Sequence, residues 1–252
     1  MKAERLNIVI PMAGHGSRFR DAGYDRPKPM IEVHGVPMIE VVVKNIKPVR
    51  AHRFIFLCLE AHLKQFGLDE YLRKIAPGCE IVPVRGVTEG AACTVLLAQE
   101  FFNTSEPLMI ANSDQFVEVD INAYLNAADI AEADGLIMTM KANDAKWSFV
   151  GFDPQGRIDR VVEKEVISDE ATVGIYNYAH GSDFVDGANA MIGKNIRVNN
   201  EFYVAPVYNE LIAAGKKIIH FNIGEVGRGM HGLGTPADLD NFLAHPVSRK
   251  LQ

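Results

Sequence analysis

The chain is poor in cysteine and has no long apolar run. Its 252 residues include three cysteines, Cys58, Cys79 and Cys93. They form no CxxC pair and fit no zinc-ligand spacing, and an odd number does not suit a disulfide framework. We therefore expect a cytoplasmic protein in a reducing compartment. No stretch reaches the roughly 18 apolar residues of a membrane span, so we expect neither a membrane anchor nor a targeting segment.

Positive charge is also scarce. Lys and Arg total 26 against 32 Asp and Glu, which gives a formal net charge of −6. A general nucleic-acid binder needs a basic surface to contact phosphates, so this composition argues against nucleic acid as a partner. It leaves room for a small phosphate-bearing ligand, because such a ligand needs only a few cations gathered at one point.

Apolar runs of strand length alternate with segments of helical period through the first half of the chain. Strands are predicted at residues 7–10, 53–59, 80–84 and 108–112, and helices at 38–47, 62–74 and 91–102. This alternation is typical of βαβ units. It predicts an α/β fold with a Rossmann-like, mainly parallel sheet flanked by helices.

The pattern changes after Gly135. Strand-like stretches at 135–143, 147–153, 157–165 and 172–178 follow one another without a helix between them, which predicts antiparallel pairing. Helices at 183–192 and 202–214, a strand at 216–222 and a helix that begins at Pro236 complete the prediction. We find no repeat or linker, so we expect a single domain over residues 1–252, to which a small antiparallel lobe is added from about residue 135.

The loop after the first strand carries most of the chemical information. Residues 13–18 read AGHGSR, and their glycines stand where a buried strand must turn sharply. Exposed N–H groups in such a turn form an anion-binding nest, and ligands of open α/β sheets sit at this end of the strands. Arg18 and Lys28 add two cations, so the loop suits a triphosphate. Neither the GxGxxG nor the Walker pattern is present.

Further motifs give the chain a resemblance to the sugar-phosphate nucleotidyltransferases, or nucleotide-sugar pyrophosphorylases. The first motifs of that family, GxG[ST]R, PK and a G[KR]P-like turn, match Gly14, Gly16, Ser17, Arg18, Pro27, Lys28, Gly35 and Pro37. The later ones match TEGAA at 88–92, NSDQ at 112–115, the strand, turn and Glu-Lys segment at 148–165, TVGIYNY at 172–178 and GTPADLDNF at 234–242. The motifs occur in the family's order and cover nearly the whole chain.

This resemblance implies the nucleotide-diphospho-sugar transferase fold and a Mg²⁺-dependent transfer of a nucleoside monophosphate. The donor would be a nucleoside triphosphate and the acceptor a small phosphorylated molecule, with a sugar 1-phosphate as the first choice. Pyrophosphate would leave, and the product would serve polysaccharide or related glycoconjugate synthesis. Residues of about 1–134 would bind the nucleotide, and residues of about 135–252 would bind the acceptor and close the site. A homo-oligomer is compatible with this reading.

The resemblance also implies roles for individual residues. The implied nucleotide-binding residues are Ala13, Gly14, Gly16, Ser17, Glu89 and Gly90. The implied acceptor-binding residues are Glu163, Lys164 and Gly174, and the implied catalytic cations are Arg18, Lys28 and Lys164. Asp114 would bind Mg²⁺. Trp147 and Tyr203 are candidates for the acceptor pocket, although single aromatic residues are more often part of a core.

One position departs from the family pattern. Many relatives have an Asp, the second magnesium ligand, two residues before the Gly of GTP, and this chain has Gly232 there. Either another acid such as Glu225 substitutes, or Asp114 and the substrate phosphates hold the metal alone.

Three other functions stay open at this point. One is a cytidylyltransferase that acts on a non-sugar phosphate such as choline phosphate. Another is a glycosyltransferase of the related fold, which would need a DxD element, whereas NSDQ lacks the first Asp. The third is a regulatory nucleotide-binding module without turnover, against which the presence of Arg18, Lys28, Asp114 and Lys164 together argues.

Overall fold

A computed structural model of the chain describes residues 5–251. In chain order, the first part contains β1 (Leu6–Met12), α1 (Ser17–Asp21), a 3-10 helix (Lys28–Met30), β2 (Glu32–Val33), β3 (Val36–Pro37), α2 (Met38–Ile46), β4 (His52–Leu59), α3 (Glu60–Phe66), α4 (Leu68–Ile75), β5 (Glu80–Val84), α5 (Ala91–Leu96), α6 (Gln99–Phe102), β6 (Leu108–Ala111), β7 (Gln115–Val117) and α7 (Ile121–Ala131).

The second part contains β8 (Gly135–Lys141), β9 (Ser148–Phe152), β10 (Ile158–Glu163), β11 (Glu170–Tyr178), α8 (Gly181–Gly193), a 3-10 helix (Ala205–Val207), α9 (Tyr208–Ala213), β12 (Ile218–Val226), β13 (Gly229–Gly232), α10 (Pro236–Ala244) and a 3-10 helix (Pro246–Leu251).

Strands from both parts lie in one sheet. Within residues 5–251 this sheet has 11 strands, in the order β5-β4-β1-β6-β11-β8-β12-β13-β7, and β9 joins β10 to β11 beside this path. β1 runs parallel to β4 and β6, and β4 runs parallel to β5. β11 runs antiparallel to β6, β8 and β9, and β9 runs antiparallel to β10. The predicted α/β class and the antiparallel pairing after Gly135 are confirmed.

Helices cover both faces of the sheet because the central strands are apolar on both sides. In β1, the side chains of Leu6, Ile8 and Ile10 pack on the face that α2, α4 and α7 cover. Val9 points to the other face, which α5, α8 and α9 cover. Alternate side chains of a strand point to opposite faces of the sheet, so β1 is buried on both sides. The loop that follows β1 therefore lies at the carboxyl end of a central, buried strand.

Some predicted helices are wrong in extent. The helix predicted at 62–74 is divided into α3 and α4 by Gly67, which has a φ of 59°. The helix predicted at 91–102 is divided into α5 and α6, because Leu97 and Ala98 donate backbone hydrogen bonds three residues back and tighten the turn. The helix predicted at 202–214 begins only at Ala205, since the backbone of Phe202 is paired with Glu89 and Ala92 instead.

Other elements were not predicted. α7 buries Ile121, Tyr124 and Leu125, and the side chain of Asp120 caps it by accepting a hydrogen bond from the Asn122 N–H. β7 and β13 have only three and four residues, too few for a visible period, and they pair with each other. This last pairing shapes the site, because it brings residues 230–232 beside residues 115–117.

None of the helices within residues 5–251 combines the length and the apolar character needed to cross a membrane.

Candidate functional site

The loop after β1 is folded against Lys28. Gly16 has a φ of 59°, in the left-handed region that favours glycine, and a Cβ there would lie 3.2 Å from the Lys28 Cβ. α1 follows, and its buried Phe19 anchors it in an apolar cluster beside α10. Pro27 and Pro29 flank Lys28 and restrict its backbone. Arg18 and Lys28 are thereby held at the same end of the sheet.

Lys28 forms an ion pair with the acidic residue that follows β6. Its Nζ lies 2.8 Å from Oδ2 of Asp114, and the two side chains are 24% and 26% exposed. The Asp114 backbone is fixed because its carbonyl accepts a hydrogen bond of 2.7 Å from the Leu233 N–H. A Cβ at Gly234 would lie 2.8 Å from Asp114 Oδ2, so only glycine leaves the carboxylate its position. Asp114 is thus presented to a cation.

Arg18 and Asp114 line one cavity, which we call the Asp114 cavity. Its volume is about 440 Å³. The lining residues come from α1, the segment from Asn112 to the start of β7, the two residues before β9, the end of β12, β13 and the start of α10. They are Arg18, Asn112, Asp114, Gln115, Lys146, Trp147, Val226, Met230, Gly232, Gly234, Thr235 and Asp238.

A second cavity, the Glu163 cavity, adjoins the first. Its volume is about 280 Å³, and its polar lining residues are Asn112, Lys146, Ser148, Glu163, Thr172, Tyr176 and Tyr203. Asn112, Lys146 and Trp147 line both cavities. The two cavities are therefore parts of one cleft, with Asn112 at the junction.

Glu163 is a buried carboxylate at the end of β10. Its side chain is 8% exposed and accepts a hydrogen bond from the Ser148 hydroxyl on the neighbouring strand β9. Burial raises the pKa of Glu163, and the Ser148 hydrogen bond works in the opposite direction. A carboxylate in this setting can accept hydrogen bonds from hydroxyl groups of a bound ligand.

Lys164 has a strained backbone. Its φ is 58°, a conformation that residues with a Cβ rarely adopt. The Lys164 N–H donates a hydrogen bond of 3.0 Å to the Trp147 carbonyl, and Nζ donates one of 2.5 Å to the Tyr203 hydroxyl. The Tyr203 hydroxyl raises the pKa of Lys164, because it accepts a hydrogen bond from the charged form. Strain of this kind is typical of functional positions.

The backbone of Gly174 packs directly against the side chain of Asn112. Its φ is 93°, and a Cβ there would lie 2.2 Å from Nδ2 of Asn112, so a side chain at this position would displace Asn112. The Asn112 N–H donates a hydrogen bond of 3.0 Å to the Gly174 carbonyl. Gly174 also lines the Glu163 cavity.

The loop before α5 leads to Ala91, the first residue of α5, which lines the Glu163 cavity. The Phe202 N–H donates to the Glu89 carbonyl at 2.7 Å, and a Cβ at Gly90 would lie 2.4 Å from the Phe202 carbonyl oxygen. Arg197 forms an ion pair of 2.6 Å with the Glu89 side chain. The loop is thus clamped against the segment that carries Tyr203.

The structure brings together only some of the predicted site residues. Arg18, Asp114, Glu163 and Gly174 line the cleft, and Lys28 and Lys164 bond to residues that line it. The predicted nucleotide-binding residues Ala13, Gly14, Gly16, Ser17, Glu89 and Gly90 lie outside the linings of both cavities. Their roles stay predictions.

Several lining residues were missed by the sequence reasoning. Asn112 and Gln115 belong to the same NSDQ motif as Asp114, the predicted Mg²⁺ ligand. Their position in this motif could have marked them as site residues. Ser148 and Tyr176 lie in the matched segments 148–165 and 172–178, but nothing in those segments singles out either residue as part of a site. Trp147 belongs to both cavity walls and Tyr203 to one, as the acceptor-pocket hypothesis for these two aromatics required.

A comparison with models of protein families shows to which family the chain belongs. The model of the family described as Nucleotidyl transferase matches residues 8–194 of this chain. The chain belongs to this family. The match covers the loop after β1, the NSDQ segment and the Glu-Lys segment, and the resemblance expected from the motifs is confirmed.

Curated proteins of related sequence match part of this chain. The mannose-1-phosphate guanylyltransferase catalytic subunit beta of Dictyostelium discoideum is 26% identical over 189 residues, which cover 68% of this chain and 49% of that protein. The same subunit of Drosophila pseudoobscura pseudoobscura is 24% identical over 174 residues, which cover 67% of this chain and 46% of that protein. The chain spans about half the length of these relatives.

Solved structures match the whole fold. The nucleoside-diphosphate-sugar pyrophosphorylase of Vibrio cholerae RC9 has a TM-score of 0.80 and 25% identity, over 94% of this chain and 99% of that one. A UDP-glucose pyrophosphorylase solved with UDP-glucose has a TM-score of 0.76 and 16% identity, over 98% of this chain and 100% of that one. At this lower identity the likeness shows the fold alone.

The strained backbone of Lys164 gives a test of the site geometry. Glycine adopts a positive φ without a steric cost, whereas alanine does not, so Lys164→Gly should be more stable than Lys164→Ala by about 1 kcal/mol. Urea unfolding of both variants measures the difference. Equal stability, or a more stable alanine variant, would show that this family member does not hold residue 164 in the left-handed region.

Proposed function

We propose that the chain transfers a nucleoside monophosphate from a nucleoside triphosphate to a sugar 1-phosphate and releases pyrophosphate. The observation that carries this proposal is the single cleft with two different ends. One end holds Arg18, Lys28 and Asp114, which suit a triphosphate and a cation. The other holds the buried Glu163, which suits hydroxyl groups, beside Lys164. The likeness to mannose-1-phosphate guanylyltransferase and to a nucleoside-diphosphate-sugar pyrophosphorylase supports it.

The reaction needs positioning and charge neutralisation more than acid or base chemistry. A phosphate oxygen of the acceptor attacks the α-phosphorus, the new P–O bond forms, and the bond to the pyrophosphate oxygen breaks in line. Among the described residues, neither cavity is lined by histidine or cysteine. The acceptor phosphate is already ionised at neutral pH, so no protein group has to remove a proton from it.

Each cation has a place in this scheme. Arg18 binds the phosphates of the donor, since its planar guanidinium can make two hydrogen bonds to phosphate oxygens. Lys28 leaves Asp114 to bridge the donor and acceptor phosphates, and Lys164 holds the acceptor phosphate. These three side chains offset the repulsion between two anions that must come within bonding distance.

Asp114 fits a magnesium ion. Its carboxylate already faces the ammonium group of Lys28 at 2.8 Å, so this oxygen is presented to positive charge. Mg²⁺ prefers oxygen ligands and takes one or two carboxylates together with phosphate oxygens and water. When bound, Mg²⁺ would supply further neutralisation of the charge on the transferred and leaving phosphates.

The aromatic residues of the cleft favour a sugar over choline. A quaternary ammonium acceptor needs free aromatic faces. Here the Lys146 ammonium lies 5.1 Å from the centroid of the Trp147 ring, and the Lys164 ammonium lies 4.7 Å from that of the Tyr203 ring. Because an ammonium group lies beside each ring, a choline headgroup there would meet a like charge, whereas a neutral polyol would not.

A pyrophosphate-release screen tests the function. We expect release with at least one pair from a panel of nucleoside triphosphates and sugar 1-phosphates, and none with choline phosphate. Arg18→Ala and Asp114→Ala should each lower kcat by about 100-fold or more, because each removes charge stabilisation from the reacting phosphates. The control is Arg20→Ala, which removes an exposed arginine from α1 and should keep full activity.

The outcomes of this screen are distinct. Full activity in Arg18→Ala or Asp114→Ala would contradict the assigned roles. Absence of release with every pair, together with tight binding of a nucleotide-sugar, would favour the glycosyltransferase alternative. Release with choline phosphate alone would favour the cytidylyltransferase alternative.

The buried Glu163 predicts a pH dependence. The ionised carboxylate accepts hydroxyl hydrogen bonds at both oxygens and more strongly than the protonated form, so kcat/KM for the acceptor should fall as the pH drops through the Glu163 pKa, which burial raises. The Ser148 hydroxyl lowers this pKa, so Ser148→Ala should move the acid limb to higher pH. Glu163→Gln should remove the limb and raise KM for the acceptor. An acid limb at the same pH in Ser148→Ala and wild type would show that another group titrates.

A further inference from the structure

We infer that Asp238, in the first turn of α10, supplies the second carboxylate toward the divalent cation that Asp114 faces. The inference rests on the proposed function, since the cation is expected to arrive with the nucleoside triphosphate. Asp238 stands in the GTPADLDNF segment, but the resemblance gave it no role, and the inference now assigns it a metal-directed one.

Asp238 lies next to the position that lacks a side chain. A Cβ at Gly232 would lie 3.5 Å from Cγ and 3.7 Å from Oδ2 of Asp238. Two residues along the chain, a Cβ at Gly234 would lie 2.8 Å from Asp114 Oδ2. The two carboxylates therefore pack against the same short segment, and both line the Asp114 cavity. Glu225, the substitute considered from the sequence, instead forms an ion pair with Arg228 at 3.1 Å and does not line this cavity.

In the N-terminal cap of α10, only one oxygen of the Asp238 carboxylate accepts a hydrogen bond. The Asp238 N–H donates to Oγ1 of Thr235 at 3.1 Å, and the Thr235 hydroxyl donates to Asp238 Oδ2 at 2.7 Å. In a reciprocal capping box the acidic side chain would accept from the backbone N–H of the N-cap residue instead. Oδ1 has no hydrogen-bond or ion-pair partner among the residues that the structure describes. One oxygen thus remains for a ligand.

An independent feature of the same cavity points to a ligand. Gln115 is 4% exposed, and its Nε2 has no hydrogen-bond partner within the described part of the chain. A buried amide without a partner costs free energy, so such groups are usually satisfied by a ligand or an ordered water. A phosphate oxygen of a metal-bound triphosphate is an acceptor that would satisfy this amide.

The number of acidic groups agrees with magnesium bound together with phosphates. No cluster of three or more His, Cys, Asp or Glu side chains suited to a metal occurs among residues 5–249. Two carboxylates that leave the other positions to phosphate oxygens and water are the arrangement that Mg²⁺ usually takes.

A compensation experiment tests this assignment. The full-length chain is titrated with Mn²⁺ in the presence of inorganic triphosphate, and free Mn²⁺ is measured by electron paramagnetic resonance. Asp238→Asn keeps the shape and an oxygen for the Thr235 hydroxyl, and it should weaken Mn²⁺ binding by about tenfold or more. Gly232→Asp in this background should restore most of the affinity, since there is space for a Cβ at residue 232. Asp240→Asn, an exposed position on the same helix, should leave the affinity unchanged.

Two results would overturn the inference. One is an Asp238→Asn variant that binds Mn²⁺ as tightly as the wild type. The other is a loss of affinity that Gly232→Asp does not restore, accompanied by a lower melting temperature, which would make Asp238 a helix cap only. Because Mn²⁺ binding needs no turnover, a failed pyrophosphate-release screen with the predicted Mn²⁺ affinities would reject the proposed function alone.

Discussion

The close contact between Gly174 and Asn112 is the constraint on which the cleft depends. β11 pairs with β6 up to Ile175 and Ala111, and its register with β8 shifts between Thr172 and Tyr176. At this irregularity Gly174 has a φ of 93° and no room for a Cβ. The Asn112 N–H still pairs with the Gly174 carbonyl at this point, so the Asn112 side chain is held against the irregular part of β11. Asn112 lines both cavities, and the local backbone of β11 therefore fixes the residue at which the two cavities adjoin.

The cleft gathers positively charged side chains although the chain as a whole is acidic. The protein carries a formal charge of −6, yet the cleft collects Arg18, Lys28, Lys146 and Lys164. Each lysine has a partner that keeps it in place: Asp114 for Lys28, and the aromatic residues Trp147 and Tyr203 for the other two. These partners hold the cations near one another before any anion binds. In the proposed reaction a triphosphate would meet positions that are largely set in advance, which is the condition for electrostatic stabilisation of a transition state.

Much of the fold was predictable because it depends on local periodicity. Buried strands such as β1 and β4 are continuous apolar runs, and the segment after Gly135 reads as strand after strand. The predicted helix boundaries were wrong where a single residue or a partner distant in sequence determines the local backbone. Gly67 ends a helix by adopting a left-handed backbone, and Phe202 leaves a helical pattern because its backbone pairs with residues more than a hundred positions away.

The site residues likewise divide into those that a motif marks and those that only contacts distant in sequence define. Arg18 and Asp114 stand in motifs, so their place in the cleft was predictable from order along the chain. The contacts that define their surroundings join residues far apart in sequence, such as Lys28 with Asp114 and Lys164 with Tyr203. Ser148 likewise matters only through Glu163, which the pairing of β9 with β10 brings to it. No spacing rule in the sequence contains that information.

The central claim is that the acceptor phosphate attacks the donor directly, with the protein supplying charge and position but no nucleophile. The stereochemical course at phosphorus tests it most directly. A nucleoside α-thiotriphosphate of one configuration is converted with a sugar 1-phosphate, and the configuration of the nucleoside-diphosphate-sugar product is determined. A single in-line displacement predicts inversion at the α-phosphorus. Retention would contradict the account, because it requires two displacements and a covalent intermediate on the protein.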